Sequence, residues 1–347
     1  MPERAVVPVA GVKDLSAELE AIRAKGNVPA LAAAAFRGDE VLAIGATGVR
    51  RQGHDERVTL DDRWHLGSDT KAMTAVLVAM QIERGALHFE DTLGALFGGG
   101  VNEKLRAVTI EQLLQHRGGL PHQFPPDIWA EMWSAGDDPS ERARAVGELL
   151  SREPTQPVGT YEYANTGYVT LGLVLERATK KRWETLIRDD LFGPLGMTSC
   201  GFGAPEKDAP WGHEPGNVPH APGPRADNPP SNAPAGGVHC SLRDWGKFLA
   251  VVLAGMRGER GPTMKRLLTP PETDEHRYAG GWVFLKRAWG GEVAMHSGSN
   301  TLWTATAWLA PDKDLAFVAA SNVYDPRTVD AAFSSTIPVF TAPANRE

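Results

Sequence analysis

Strand patterns lie at both ends of this chain and helix patterns fill its middle, an order that leaves few ways to close a sheet. Near the start, residues 29–36 form a small-residue apolar run, Arg37-Gly38-Asp39-Glu40 reads as a turn, and residues 41–46 return as a second strand. That is a β-hairpin. Near the end, residues 281–287, 292–296, 301–309 and 315–321 read as four more strands, followed by a helix over 327–335. Between them, residues 110–116, 141–150, 166–179 and 183–191 are helical segments separated by glycine and proline breakers. A helix over 12–25 precedes the hairpin, with Leu15, Leu19 and Ile22 at helical spacing and Gly26 as its stop. The economical arrangement is an α+β sandwich: one antiparallel sheet built from both ends, flanked by helices, with a mostly helical subdomain inserted. The expected division gives residues 1–80 and 238–347 to the sheet and 81–237 to the helical part.

Residues 201–237 are dense in proline, glycine and asparagine, so a loop of this length is expected to form a functional wall or to be disordered. Ser241 then reads as the cap of another helix. The net charge of −7 provides no basic stripe for phosphates, which argues against a nucleic-acid binder. No apolar run reaches membrane-spanning length. Residues 1–7 lack a signal peptide's apolar core. The chain as it stands is therefore expected to be cytoplasmic, or periplasmic or secreted if a leader has been trimmed. Two cysteines, Cys200 and Cys240, fit no metal or redox spacing; one bridge between them is open, and two buried free thiols are the expected state. His213, Glu214 and His220 lack zinc-protease spacing, and Pro215 breaks the helix such a site needs. No metal is expected. The absence of a Gly-x-Ser-x-Gly elbow speaks against an α/β-hydrolase. Trp211, Trp282, Trp303 and Trp308 fit a cleft lining and a packed core equally well.

Three short motifs carry chemistry. Ser68 and Lys71 stand three apart at the start of a helix, so their side chains share a face. A serine hydroxyl needs a neighbour to take its proton. A lysine does that when burial or another cation lowers its pKa. Alone, the pair fits a capping serine and a surface lysine as well, yet its flanks are apolar and it is the only Ser-x-x-Lys in the chain. Tyr163-Ala164-Asn165 offers a phenol that an ammonium pushes toward phenolate, and an amide with a donor and an acceptor. His296-Ser297-Gly298-Ser299 follows a late strand, where Gly298 lets a substrate approach the backbone.

In order and spacing, Ser68-Asp69-Thr70-Lys71, Tyr163-Ala164-Asn165 and His296-Ser297-Gly298 resemble the three motifs of the serine β-lactamase and penicillin-binding-protein family. Residues 64–75, around the nucleophile, and 109–120, a "LLxHxxGL" segment, are similar to that family too, so the likeness runs from about residue 32 to 322. It implies a β-lactamase/transpeptidase-like fold and an acyl-transfer enzyme without metal or cofactor. Ser68 is then the nucleophile, and Lys71 and Tyr163 share the base and acid roles, the first acceptor being disputed in such systems. The backbone N–H groups of Ser68 and Ser299 form the oxyanion hole, and Asn165, His296, Gly298 and Ser299 contact substrate. Many relatives carry lysine where His296 stands. The histidine therefore favours neutral ester, amide or peptide substrates, unless Arg225 or Arg243 supplies the cation. Carboxylesterase action ranks first, D-amino-acid peptidase second and β-lactamase third. The alternative is a sensor that acylates without turnover, or a scaffold of the same fold. Oligomeric state is left open.

Overall fold

The computed structural model describes residues 11–206, 208–272 and 275–341; residues 1–7, read above for a leader, lie outside them. The chain begins with β1 (Lys13–Asp14), α1 (Ser16–Gly26), β2 (Ala30–Arg37), β3 (Glu40–Gly48), β4 (Arg63–His65) and α2 (Thr70–Glu83). Helices follow: α3 (Leu93–Phe97), α4 (Ile110–Leu114), α5 (Pro126–Ala135), α6 (Glu141–Ser151), α7 (Asn165–Thr179) and α8 (Trp183–Ile187). The proline-rich stretch holds β5 (Gly201–Phe202), β6 (Gly212–Glu214), β7 (Val218–His220) and α9 (Ala233–Gly236). Then come β8 (Val238–Ser241), α10 (Leu242–Met256), α11 (Gly261–Leu267), β9 (Tyr278–Ala279), β10 (Trp282–Arg287), β11 (Gly291–Ser299), β12 (Thr304–Ala310), β13 (Leu315–Ser321) and α12 (Pro326–Thr341).

Strands from both ends form one eight-stranded sheet in the order β1-β3-β2-β13-β12-β11-β10-β9. Every pair in it is antiparallel except β1, which runs parallel to β3. The central strands are buried on both faces, and their two-residue period divides them between two cores. In β2, Ala30, Ala32, Ala34 and Phe36 face the core shared with α2, α7 and α10. Leu31, Ala33 and Ala35 face the second core, with Leu19 of α1 and Phe333 of α12. Helices cover both faces of the sheet, so small apolar residues suit both sides of β2. Local signals set the helix starts. Thr109 and Gln112 form a reciprocal capping box at α4, and Ser241 Oγ accepts the Asp244 N–H at α10.

The cysteine expectation is corrected. β8 pairs with both β4 and β5, and the Gly201–His239 register places Cys200 opposite Cys240. The two form a disulfide with Cα atoms 4.1 Å apart. Neither spacing nor composition shows a cross-strand meeting over 40 residues, and closing that loop is worth on the order of 4 kcal/mol. Among the described residues no helix is long and apolar enough to cross a membrane.

Candidate active site

Residues 67–69 make a single 3₁₀ turn that leads straight into α2. Gly67 takes a φ of +52°, and a Cβ there would lie 2.2 Å from the Ser299 nitrogen. At Gly298 a Cβ would lie 1.9 Å from the Leu66 oxygen and 2.7 Å from the Ser68 nitrogen. The turn that carries Ser68 and the end of β11 thus touch backbone to backbone. This corrects the reading of Gly298, which makes room for the turn instead of for a substrate. Behind it, His65 Nδ1 accepts the Gly67 N–H at 3.1 Å, which leaves the ring hydrogen on Nε2, 2.9 Å from Asp227 Oδ2. That contact ties the proline-rich loop to the turn. Gly298→Ala is expected to push the turn off β11 and cut turnover by about 10²-fold. Turnover assays on the variant, with circular dichroism to establish folding, check it.

Lys71 is wholly buried on α2, and no carboxylate is hydrogen-bonded to it. Nζ donates to Asn165 Oδ1 at 2.6 Å and to the Ala235 carbonyl at 2.6 Å, and lies 3.0 Å from Ser68 Oγ. Burial pulls the amine well below its ordinary pKa, against the opposing pull of Asp69. Two of its three partners are carbonyl oxygens, which only accept. A neutral amine that gives both its hydrogens to them turns its lone pair toward the Ser68 hydroxyl. The Ala235 carbonyl, a backbone atom from α9, has no residue signature by which sequence reasoning could have found it.

Tyr163 sits at the mouth of this group, its ring centroid 4.8 Å from Lys71 Nζ. Burial pushes its phenol above the ordinary range, and the hydrogen bond with Ser68 only partly offsets this. The phenolate expectation is therefore corrected: the lysine that was to stabilise a phenolate is itself held toward neutrality. His116, with a φ of +59°, supports the segment by accepting the Ala164 N–H on Nδ1 at 3.1 Å. Its ring packs 4.4 Å from those of Tyr163 and Tyr278. The "LLxHxxGL" segment contained His116 but gave it no task. Asn165 opens α7, and its oxygen accepts from Lys71 while its NH₂ is a donor for a substrate.

His296 is 5% exposed, and burial pushes it down to about 3, so it is neutral at pH 7. The Ser299 hydroxyl is used inside the β11–β12 turn, donating to the Trp303 carbonyl and accepting the Thr301 N–H. The Ser299 backbone nitrogen lies against the turn that carries Ser68. A cavity of about 780 Å³ lies beyond the β11–β12 turn, lined by Asn300, Thr301, Trp129, Trp133 and Arg225 among others. The Arg225 guanidinium sits 4.6 Å over Trp133. Arg243, on the first turn of α10, does not line that cavity. Trp282, Trp303 and Trp308 are core residues, and Trp211 packs under Arg51. The tryptophans that line this cavity are Trp129 and Trp133 of α5, a helix with no expectation of its own. Both His213 nitrogens are engaged, with Gln52 N and the Asn322 carbonyl, and no described group of three His, Cys, Asp or Glu fits a metal ion.

A model of the Beta-lactamase family matches residues 15–334. Penicillin-binding protein 4 of Amycolatopsis lactamdurans is 32% identical over 182 residues, covering 51% of this chain and 46% of that protein. The chain thus spans about half the length of that relative, and 36% of protein flp of Staphylococcus aureus (strain COL), which is 25% identical over 184 residues, 51% of this chain. Among solved structures, a β-lactamase/D-alanine carboxypeptidase from Pseudomonas syringae superposes with a TM-score of 0.75 at 18% identity, over 94% of this chain and 98% of that one. A class C β-lactamase from Rhodobacter sphaeroides gives 0.74 at 19%, over 93% and 97%. At such identities the likeness is one of fold.

Proposed function

We propose, for a chain that belongs to the Beta-lactamase family, that it is a serine hydrolase cleaving ester or amide bonds through an acyl-enzyme at the junction of sheet and helical parts. Ser68 Oγ attacks the substrate carbonyl carbon while its proton passes to the neutral Lys71 amine. The backbone N–H groups of Ser68 and Ser299 hold the oxyanion. Tyr163, a neutral phenol, gives its proton to the leaving group and is reprotonated from Lys71. Water then attacks the acyl ester by the reverse route, releasing the acid and restoring Ser68. The Asn165 NH₂, His296 and the edge of β11 contact the substrate.

The observation that carries this reading is the Lys71 environment: two carbonyl acceptors at 2.6 Å and the serine hydroxyl at 3.0 Å. A lysine buried for packing alone costs several kcal/mol; one held toward neutrality beside a serine is suited to take its proton. The neutral His296 supports substrates without a carboxylate at the scissile bond, so carboxylesterase action ranks ahead of D-amino-acid peptidase and β-lactamase action. Arg225, on its Trp133 platform, lines the cavity beyond the β11–β12 turn and offers a cation to an anionic group bound there.

The test is release of p-nitrophenol from p-nitrophenyl butyrate by the purified protein. Sustained turnover is expected. One equivalent released without turnover replaces the hydrolase by an acylating sensor. No reaction with this ester, with D-alanyl peptides or with nitrocefin overturns the catalytic reading.

A further inference from the structure

Asp227 stands on the proline-rich loop, and its side chain is 8% exposed. Its two oxygens face donors from opposite flanks of the site. Oδ2 lies 2.9 Å from His65 Nε2, while Oδ1 accepts from Asn300 Nδ2 at 3.1 Å and from the Asn228 N–H at 2.7 Å. Hydrogen-bond partners fix the direction of these contacts. The Gly67 N–H can only donate, so His65 Nδ1, which accepts it at 3.1 Å, carries no hydrogen and the ring hydrogen sits on Nε2. Asn300 Oδ1 accepts the Leu302 N–H at 3.2 Å, so the atom turned to Asp227 is the amide nitrogen. All three donors use the Asp227 carboxyl as an acceptor, the role of a carboxylate.

His65 and Asn300 each hold one side of the site. His65 is buried three residues before Ser68, with its ring stacked on that of Trp303 at 5.7 Å between centroids. Through Gly67 it holds the turn against which the Ser299 nitrogen lies. Asn300 is buried too, directly follows Ser299, and also donates to the Ala226 carbonyl at 3.0 Å. We infer that Asp227 is a positioning residue: one carboxylate on the proline-rich loop clamps the turn of Ser68 through His65 and the β11–β12 turn through Asn300, and so sets the spacing of the Ser68 and Ser299 backbone nitrogens. Its meaning for catalysis rests on the hydrolase reading, in which those two N–H groups receive the oxyanion. That charge develops only on the way to the tetrahedral intermediate, so misplaced donors lower kcat more than they raise KM. The proline-rich loop is then a strut of the site as well as a wall.

The test is read in two ways on the full chain. Hydrogen–deuterium exchange, without substrate, compares the wild type with Asp227→Ala. If circular dichroism shows that this variant does not fold, the nearly isosteric Asp227→Asn takes its place. Exchange at residues 67–69 and 299–302 is expected to speed by about tenfold or more, while α1 and α12 keep the wild-type rate. With p-nitrophenyl butyrate, kcat is expected to fall by about 10–100-fold with KM within about threefold. Faster exchange confined to residues 223–232, or spread evenly through α1 and α12, overturns the inference, because Asp227 then anchors only its own loop or the fold at large. So does an unchanged kcat beside a raised KM. A wild type that turns over no ester defeats the hydrolase reading, and exchange at the two turns still decides whether the clamp exists.

Discussion

Ser68→Ala is expected to abolish turnover, with a fall of about 10⁴-fold or more in kcat, while leaving the fold intact. The substitution removes one oxygen from a half-buried side chain and keeps the Cβ against the turn. Lys71 retains its bonds to Asn165 and the Ala235 carbonyl, so its buried amine keeps two partners. The measured quantities are p-nitrophenol release and the intact mass after incubation with a slowly deacylating ester. The wild type should gain one acyl group and the variant none. An acylated, active Ser68→Ala protein would move the nucleophile elsewhere and leave the Lys71 geometry without a chemical purpose. Loss of turnover with unchanged thermal unfolding would tie the reaction to one oxygen atom.

The parts of this site that were legible in the sequence share one property: they depend on local periodicity. Ser68 and Lys71 share a helix face because they are three apart, and the strand alternation of β2 and β13 follows from a period of two. The ordered motifs then pointed to one fold. What stayed hidden depends on contacts between distant segments. Asp69 carried no expectation inside Ser-x-x-Lys, and only the packing of β11 against the turn shows it to be a buried carboxyl near His296. Cys200 and Cys240 became partners through a strand pairing that no spacing rule encodes. Gly298 was recognised as a close-approach position, but the approaching atoms are Leu66 O and Ser68 N, which a linear reading cannot place. The phenolate expectation for Tyr163 failed for a related reason. It assumed a charged lysine, whereas the depth at which α2 lies is a tertiary fact.

The acid limb of the rate profile is expected to belong to Lys71. Burial lowers its folded pKa well below 10.5, and a base must be unprotonated to act. As pH falls through that lowered pKa, Nζ gains a third hydrogen and loses the lone pair that faces Ser68, so kcat/KM drops about tenfold per pH unit. Above it the rate is flat. Lys71→Arg, charged at every accessible pH, and Lys71→Ala should each lose about 10²-fold or more and lack the limb. Tyr163→Phe should lose about 10²-fold yet keep it, because a phenol pushed above its usual value of 10 stays protonated throughout. The same shift has a signature that needs no substrate. Between the folded pKa of Lys71 and 10.5 the unfolded chain binds more protons than the native one, so this group makes stability rise with pH. Below the folded pKa both states are protonated and its contribution to the slope vanishes. Urea unfolding at pH 7, 8 and 9 should therefore show wild-type stability gaining on that of Lys71→Met as pH rises. A constant difference, or an acid limb that survives in Lys71→Ala and disappears in Tyr163→Phe, would transfer the base from the lysine to the tyrosine.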